Sequence, residues 1–173
     1  MSNIPDWLPP IILVDGDFDE VLKKLYSIFK RDFVDSQPHY NSMLVWHDRR
    51  KKAGEAYEEG FWHLITRDCC KKEDRLFDPR RAERLPWCSP TIDNSSDSLA
   101  KTWDYREQRR TKTYIWLEEL DYVVLLEIKT LQAQKKGTEV LPPRKIAFLI
   151  TAYHVDGQSK RRSLRKKYEK RLS

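Results

Sequence analysis

From Phe18 to about Phe33 the apolar residues recur with a helical period. Phe18, Val21, Leu22, Leu25, Tyr26, Ile28 and Phe29 fall on one side, which predicts an amphipathic helix packed on a core. Asp17 followed by Glu20 has the spacing of a capping box at its start. Ahead of it, Ile11-Ile12-Leu13-Val14 is a short β-branched run closed by the turn signal Asp15-Gly16, so an N-terminal strand and helix precede residue 40. Further on the period shortens to two. His39 to His47, with Met43-Leu44-Val45-Trp46 inside it, predicts a strand, and 48–60 is a charged loop or hairpin excursion. Phe61 to Arg67 is compact and aromatic, either a strand or the first turn of a helix.

Asp78 with Pro79 behind it predicts the N-cap of a short helix carrying Arg80, Arg81, Arg84 and Leu85 and ending before Pro86-Trp87. Residues 89–99 form a polar connector. Thr111 to Trp116 and Tyr122 to Ile128 carry the strongest β signal and predict two antiparallel strands joined through 118–121. A flexible excursion follows from Lys135 to Pro143, then a strand from Ile146 to Tyr153. A closing helix over 158–173 presents Leu164, Tyr168 and Leu172 at i, i+4 and i+8. The predicted class is α+β, with the N-terminal and other short helices packed on a curved antiparallel sheet and a basic helix at the C-terminus.

At 173 residues this is one domain. A content of 35% charged and 39% hydrophobic residues excludes disordered and fibrous classes. No apolar run approaches the roughly 20 residues that span a bilayer, and the first residues, Met1 to Asp6, lack a basic region and an apolar stretch of signal type. Three cysteines, two of them the adjacent pair Cys69-Cys70, provide no disulfide framework. The zinc spacings are missing, so no metal or other cofactor is implied. A reducing cytoplasm fits.

Charge changes the picture most. Residues 158–173 contain eight Lys or Arg against one Glu, whereas the whole chain is only +6, so everything upstream is close to neutral. Positive charge concentrated beside proton-transfer side chains points to a polyanion, RNA above all, although charge alone also fits a solvated surface helix.

Three groups of residues could act on such a ligand. His63, followed by Thr66 and Arg67, offers a base for a ribose hydroxyl and a phosphate anchor; the same His also reads as a hydrogen-bonded member of an aromatic core. Arg80, Arg81 and Arg84 share one side of the short helix and match phosphate geometry, with Trp87 as a stacking surface; the alternative is a surface helix whose arginines pair with Glu83 and Asp78. Thr151 and Tyr153 share a strand face beside the basic helix, where Tyr153 also reads as a half-buried strand aromatic. Asp121, Glu127 and Lys129 form a competing motif, the Asp…Glu-x-Lys of Mg²⁺-dependent DNA nucleases, which needs all three on one strand face.

Four segments in order carry a family resemblance: Gly60-Phe61-Trp62-His63-Leu64-Ile65, then 81–92 (Arg-Ala-Glu-Arg-Leu-Pro-Trp-Cys-Ser-Pro-Thr-Ile), then Lys112 to Leu117, then Ala147 to Tyr153. Together they resemble phage-related proteins of the barnase/EndoU/colicin/RelE-like (BECR fold) RNase group, and the last strand with its basic tail is similar to RelE-like toxins. The resemblance covers roughly residues 40–170. It implies a metal-independent endoribonuclease, the toxin of a toxin–antitoxin or phage-related module, in which a ribose 2′-hydroxyl attacks the adjacent phosphate. Carried over, His63, Arg84, Thr151 and Tyr153 would be catalytic. Arg67, Arg81, Trp87, Arg162, Lys166 and Lys167 would hold RNA, such as ribosome-associated mRNA or tRNA. An acidic antitoxin or immunity protein is the implied partner. A non-catalytic nucleic-acid-binding or phage interaction protein on the same fold is the alternative.

Overall fold

A computed structural model describes residues 4–69, 71 and 74–172. Met1 to Asn3, Cys70 of the adjacent cysteine pair and Ser173 at the end of the basic tail lie outside the described residues. The predicted α+β class is what the chain adopts: the described residues form five α-helices and a six-stranded sheet, with two small two-stranded sheets.

The periodic segment forms α1 (Phe18–Phe29), whose N-cap Asp17 accepts a bond from the Glu20 amide and whose buried stripe is Val21, Leu22, Leu25 and Phe29. A single π-helical turn, Lys30–Val34, carries it on and buries Phe33. The strand expected over 39–47 divides into β1 (His39–Tyr40) and β2 (Met43–Trp46). The aromatic segment is α2 (Glu59–Ile65), not a strand, and only Thr66–Asp68 (β3) is extended, paired with β4 (Arg75–Phe77). Gly60 lets α2 close on the chain after β2: a Cβ there would come within 3.0 Å of the Asp48 carbonyl oxygen and the His47 Cβ.

Asp78 caps α3 (Pro79–Glu83) through the amides of Arg80 and Arg81, with Pro79 at the first helical position. The polar connector begins as a helix, α4 (Cys88–Asp93), with Cys88, Thr91 and Ile92 buried. The sheet has more strands than its strongest signal implied, because β5 (Lys101–Glu107) pairs with β6 (Arg110–Leu117) ahead of β7 (Tyr122–Leu131). The excursion over 135–143 holds a short hairpin, β8 (Gln134–Lys136) with β9 (Glu139–Leu141). Then come β10 (Arg144–His154) and α5 (Gly157–Glu169).

Strand order is β1-β2-β10-β7-β6-β5. The sheet is antiparallel except where β2 runs parallel to β10, so it is mixed rather than wholly antiparallel. Ile11 to Val14 is not a strand; its Ile12 amide instead bonds the Glu83 carbonyl at the end of α3.

Alternation along the strands gives each face its own core. One face turns Ile115, Leu117, Tyr122, Val124, Leu126, Ala147 and Ala152 toward α1, α2 and α4. The other turns Trp103, Tyr114, Trp116, Val123 and Leu125 toward α5, which contributes Leu164 and the ring of Tyr168. Leu172 does not extend that stripe: it lies beyond the helix with its side chain 48% exposed, while its amide bonds the Asp104 carbonyl.

Candidate nucleic-acid interface

β2 ends at Trp46, so among the described residues no strand pairs with the C-terminal half of β10 on that side, and α2 and α3 pack beside it instead. His63 stands in the last turn of α2, where a helix leaves carbonyls without intrahelical partners. Thr151 Oγ1 donates to the His63 carbonyl at 2.7 Å, and Arg81 Nη1 donates both to that carbonyl at 3.4 Å and to Thr151 Oγ1 at 3.2 Å. The Arg81 guanidinium lies 5.4 Å from the Tyr153 ring centroid and pairs with Asp78 at 3.6 Å. Burial lowers the affinity of Arg81 for its proton, opposed by Asp78, and burial pushes the Tyr153 phenol up, opposed by Arg81. Thr151, Tyr153, Arg81 and the backbone of His63 are therefore brought together.

The His63 imidazole belongs to the same neighbourhood but makes different contacts. Its Nε2 stands 3.9 Å from a Glu59 carboxylate oxygen, with the side chain one-third exposed. Burial pulls its pKa below the ordinary histidine value, and the charge of Arg75 adds to this, against Glu59, Asp48 and Asp68. The charges of Arg75 and Asp68 also act on Arg81, the first lowering and the second raising its proton affinity. Arg75 Nε donates to Thr66 Oγ1 at 2.7 Å, and Glu59, Thr66 and Arg75 line a cleft of about 520 Å³.

Two predicted residues face elsewhere. Arg84 ion-pairs with its neighbour Glu83, donates to the Arg80 carbonyl at 3.0 Å and lies over the Trp87 ring. Trp87 is buried: its Nε1 bonds the Pro9 carbonyl at 2.7 Å and its ring meets Tyr122 edge-on, so no face is left for a base. The sequence hid this because the partners, Pro9 and Tyr122, are remote in the chain. Arg67 is exposed on β3, and Arg80 pairs with Asp156 at 2.9 Å, the same oxygen that His154 Nδ1 contacts at 2.9 Å.

The basic helix is docked by charge as much as by its apolar stripe. Arg161 pairs with Asp121, Arg165 with Glu118 at 2.8 Å and Lys167 with Glu107, while Arg162, Lys166 and Lys170 form an exposed row. Lys167 Nζ also donates to Tyr114 Oη at 2.9 Å. Burial works to raise the Glu107 pKa, but bonds from Lys112, Lys167 and Tyr114 bring it down to about 2. Tyr114 is raised by burial and by Glu107.

Lys167 lines two clefts. One, of about 300 Å³, lies between α5 and β10 and includes Arg81, Tyr153, Lys160 and Ser163. The other, of about 940 Å³, lies along the tip of the β5–β6 hairpin with Arg106, Arg109, Arg110 and Lys112. These hairpin cations are visible in the sequence as Arg106-Glu-Gln-Arg-Arg-Thr-Lys112, but only the pairing of β5 with β6 gathers them at one tip.

Comparison with known proteins matches no family model, no curated protein and no solved structure.

The Asp121, Glu127 and Lys129 motif is not assembled. Asp121 occupies the turn before β7 with a φ of 52° and is held by Arg161. Six residues of extended chain, roughly 20 Å, separate it from Glu127. Glu127 and Lys129 do share a strand face, as expected, with Lys129 Nζ 3.9 Å over the Phe148 ring. No helix among the described residues is long and apolar enough to cross a membrane.

Proposed function

We propose that the chain is a metal-independent endoribonuclease that works on RNA held in the paired clefts around Lys167. The grouping of Arg81, Thr151 and Tyr153 with the His63 backbone beside β10, with the His63 imidazole on the adjoining side next to Glu59, supports this reading. Cleavage by 2′-hydroxyl attack needs a neutral base, positive charge for the phosphate and a hydrogen-bond donor near the leaving oxygen. A half-buried histidine held below its ordinary pKa is neutral at pH 7 and accepts the hydroxyl proton. Arg75 and Arg81 oppose the developing charge, Tyr153 donates, and Thr151 positions Arg81. The hairpin arginines and the exposed row of α5 bind the phosphate backbone on either side.

In the cell this activity suits a RelE-like or phage-related cytoplasmic toxin acting on mRNA or tRNA, on or off the ribosome, and held in check by an acidic antitoxin or immunity protein. The ion pairing of Arg84 and the burial of Trp87 favour a second reading, a non-catalytic RNA-binding protein, because both side chains have partners within the fold.

One incubation separates the readings: purified protein with single-stranded RNA and with DNA, each with and without EDTA. Cleavage of RNA alone, unchanged by EDTA and leaving a 2′,3′-cyclic phosphate, is expected, with loss of rate in His63→Ala and Arg81→Lys. Chelator-sensitive cutting overturns the metal-free mechanism. RNA bound but left intact selects the binding protein.

A further inference from the structure

The α5 face of the sheet is only partly covered. Cross-strand partners share a face, and successive registers define one row across five strands: Trp46 beside Phe148, Phe148 beside Glu127, Glu127 beside Lys112 and Lys112 beside Tyr105. The next row toward the C-terminal end of β10 runs Trp103, Tyr114, Leu125 and Thr151, and its aromatic and leucine side chains belong to the core under α5. Trp46 and Phe148 belong to neither core, and both are half-buried. They are large aromatic rings on the α5 side of the sheet, outside the core that α5 covers among the described residues.

Their surroundings are cationic. The Arg49 and Arg144 guanidinium groups lie 5.5 and 5.8 Å from the Trp46 ring centroid, and the Lys129 ammonium is 3.9 Å from that of Phe148. Arg110 reaches Glu127 at 3.9 Å, and Lys112 joins the row to the cleft that Lys167 lines. Against these cations stand two carboxylates, Glu127 in the row and Glu107, which pairs with Lys112 at 2.7 Å. With strands about 4.8 Å apart, the row spans roughly 19 Å from Trp46 to Tyr105.

We propose that this row is a stacking platform for the unpaired bases of single-stranded RNA, continuous with the clefts around Lys167. It rests on the reading of the protein as RNA-binding and assigns the form of RNA: single-stranded, entering or leaving over Phe148 and Trp46. Every base has a π-face, so rings flanked by Arg and Lys hold a strand without reading its sequence. The Lys129 ammonium over Phe148 occupies the place of a base and swings on its flexible stem to a phosphate when one stacks. A duplex, whose bases are already stacked, gains nothing from the rings.

The test uses a fluorescent 2′-O-methyl oligouridine of about 12 nucleotides, which cannot undergo 2′-hydroxyl attack, and a duplex of equal length. Wild type should prefer the single strand. Phe148→Ala and Trp46→Ala should each weaken single-strand binding by roughly tenfold, leave duplex binding and circular dichroism unchanged, and leave the salt slope intact. Phe148→Leu should bind like the alanine variant and Phe148→Trp should restore affinity, a difference that a packing role does not produce. Unchanged single-strand affinity in both alanine variants overturns the platform, and the RNA-binding reading survives if Arg109→Gln and Lys160→Gln still weaken binding. A wild-type protein that binds neither probe overturns both. Self-association abolished by Phe148→Ala, with no preference for single strands, also overturns the platform and assigns the face to a second copy of this chain.

Discussion

Thr151 and His63 are joined by the hydroxyl of one and the carbonyl of the other, 2.7 Å apart and 88 residues apart in the chain. The bond satisfies a carbonyl that the end of α2 leaves open, and Arg81 takes a further share of the same oxygen. It ties α2 to β10 through the backbone of His63, whereas the imidazole faces Glu59. Position and chemistry at residue 63 are consequently separable.

That separation is testable. Thr151→Val should cost about 1 kcal/mol in urea unfolding, the net worth of one hydrogen bond, and Thr151→Ser should recover it. His63→Ala keeps the carbonyl bond and should stay close to wild type in stability while losing RNA cleavage. Equal stability of Thr151→Val and wild type would show that the bond does not hold the helix.

Periodicity made much of this fold readable. α1, β6, β7, β10 and α5 lie where their apolar spacing places them, because each buries its own pattern against one layer. What stayed hidden depended on partners. β5 alternates Trp103 and Tyr105 with charged residues, and its pairing with β6 is what reveals it as a strand. α4 has the composition of a polar connector, yet Cys88 and Ile92, four residues apart, are buried beneath it. Ile11 to Val14 has the composition of a strand but finds no sheet edge. At the site, Arg81, Thr151 and Tyr153 were legible as groups on shared faces. The burial of Trp87 and the tethering of Lys167 were not, because Pro9, Tyr122, Glu107 and Tyr114 are distant in sequence.

Glu107 ties the end of β5 to β6 and α5, and its pKa sets an acid limit. The folded value, about 2, is below the ordinary value of 4.5, so its stabilising effect is full above 4.5 and is lost as pH falls through about 2. Glu107→Gln should destabilise the protein at pH 7 by roughly 1–3 kcal/mol, as loss of a charge-assisted hydrogen-bonded group does. The variant should also unfold less steeply with acid between pH 4.5 and 2. Melting temperatures of the two proteins across that range decide the matter.

His47 predicts a second pH dependence, at higher pH. It is buried with its ring edge-on to Phe29, at 4.9 Å between centroids, and burial lowers its pKa below 6.5. The unfolded chain takes up the proton first, so stability is full above 6.5 and falls as pH drops below it toward the folded value. His63, shifted the same way, adds to the slope. His47→Phe should flatten thermal stability between pH 7.5 and 5.5; an unchanged slope would place the titration elsewhere.

The cations of α5 should divide into two classes. Arg162 and Lys166 are exposed on one side of the helix, so Arg162→Gln with Lys166→Gln should leave unfolding unchanged and reduce only the electrostatic part of RNA binding. The slope of log affinity against log salt should become shallower by about 0.7 for each phosphate of a single strand that the variant no longer neutralises. Lys167→Gln is different in kind, because it leaves Glu107 and Tyr114 without their shared donor. It should lower the melting temperature, raise the folded pKa of Glu107 toward 4.5 and so narrow the acid-sensitive range, as well as weaken binding. If Lys167→Gln melts like wild type, the ammonium is not part of the sheet's hydrogen-bonded network, and the joint between the two clefts is not built as described.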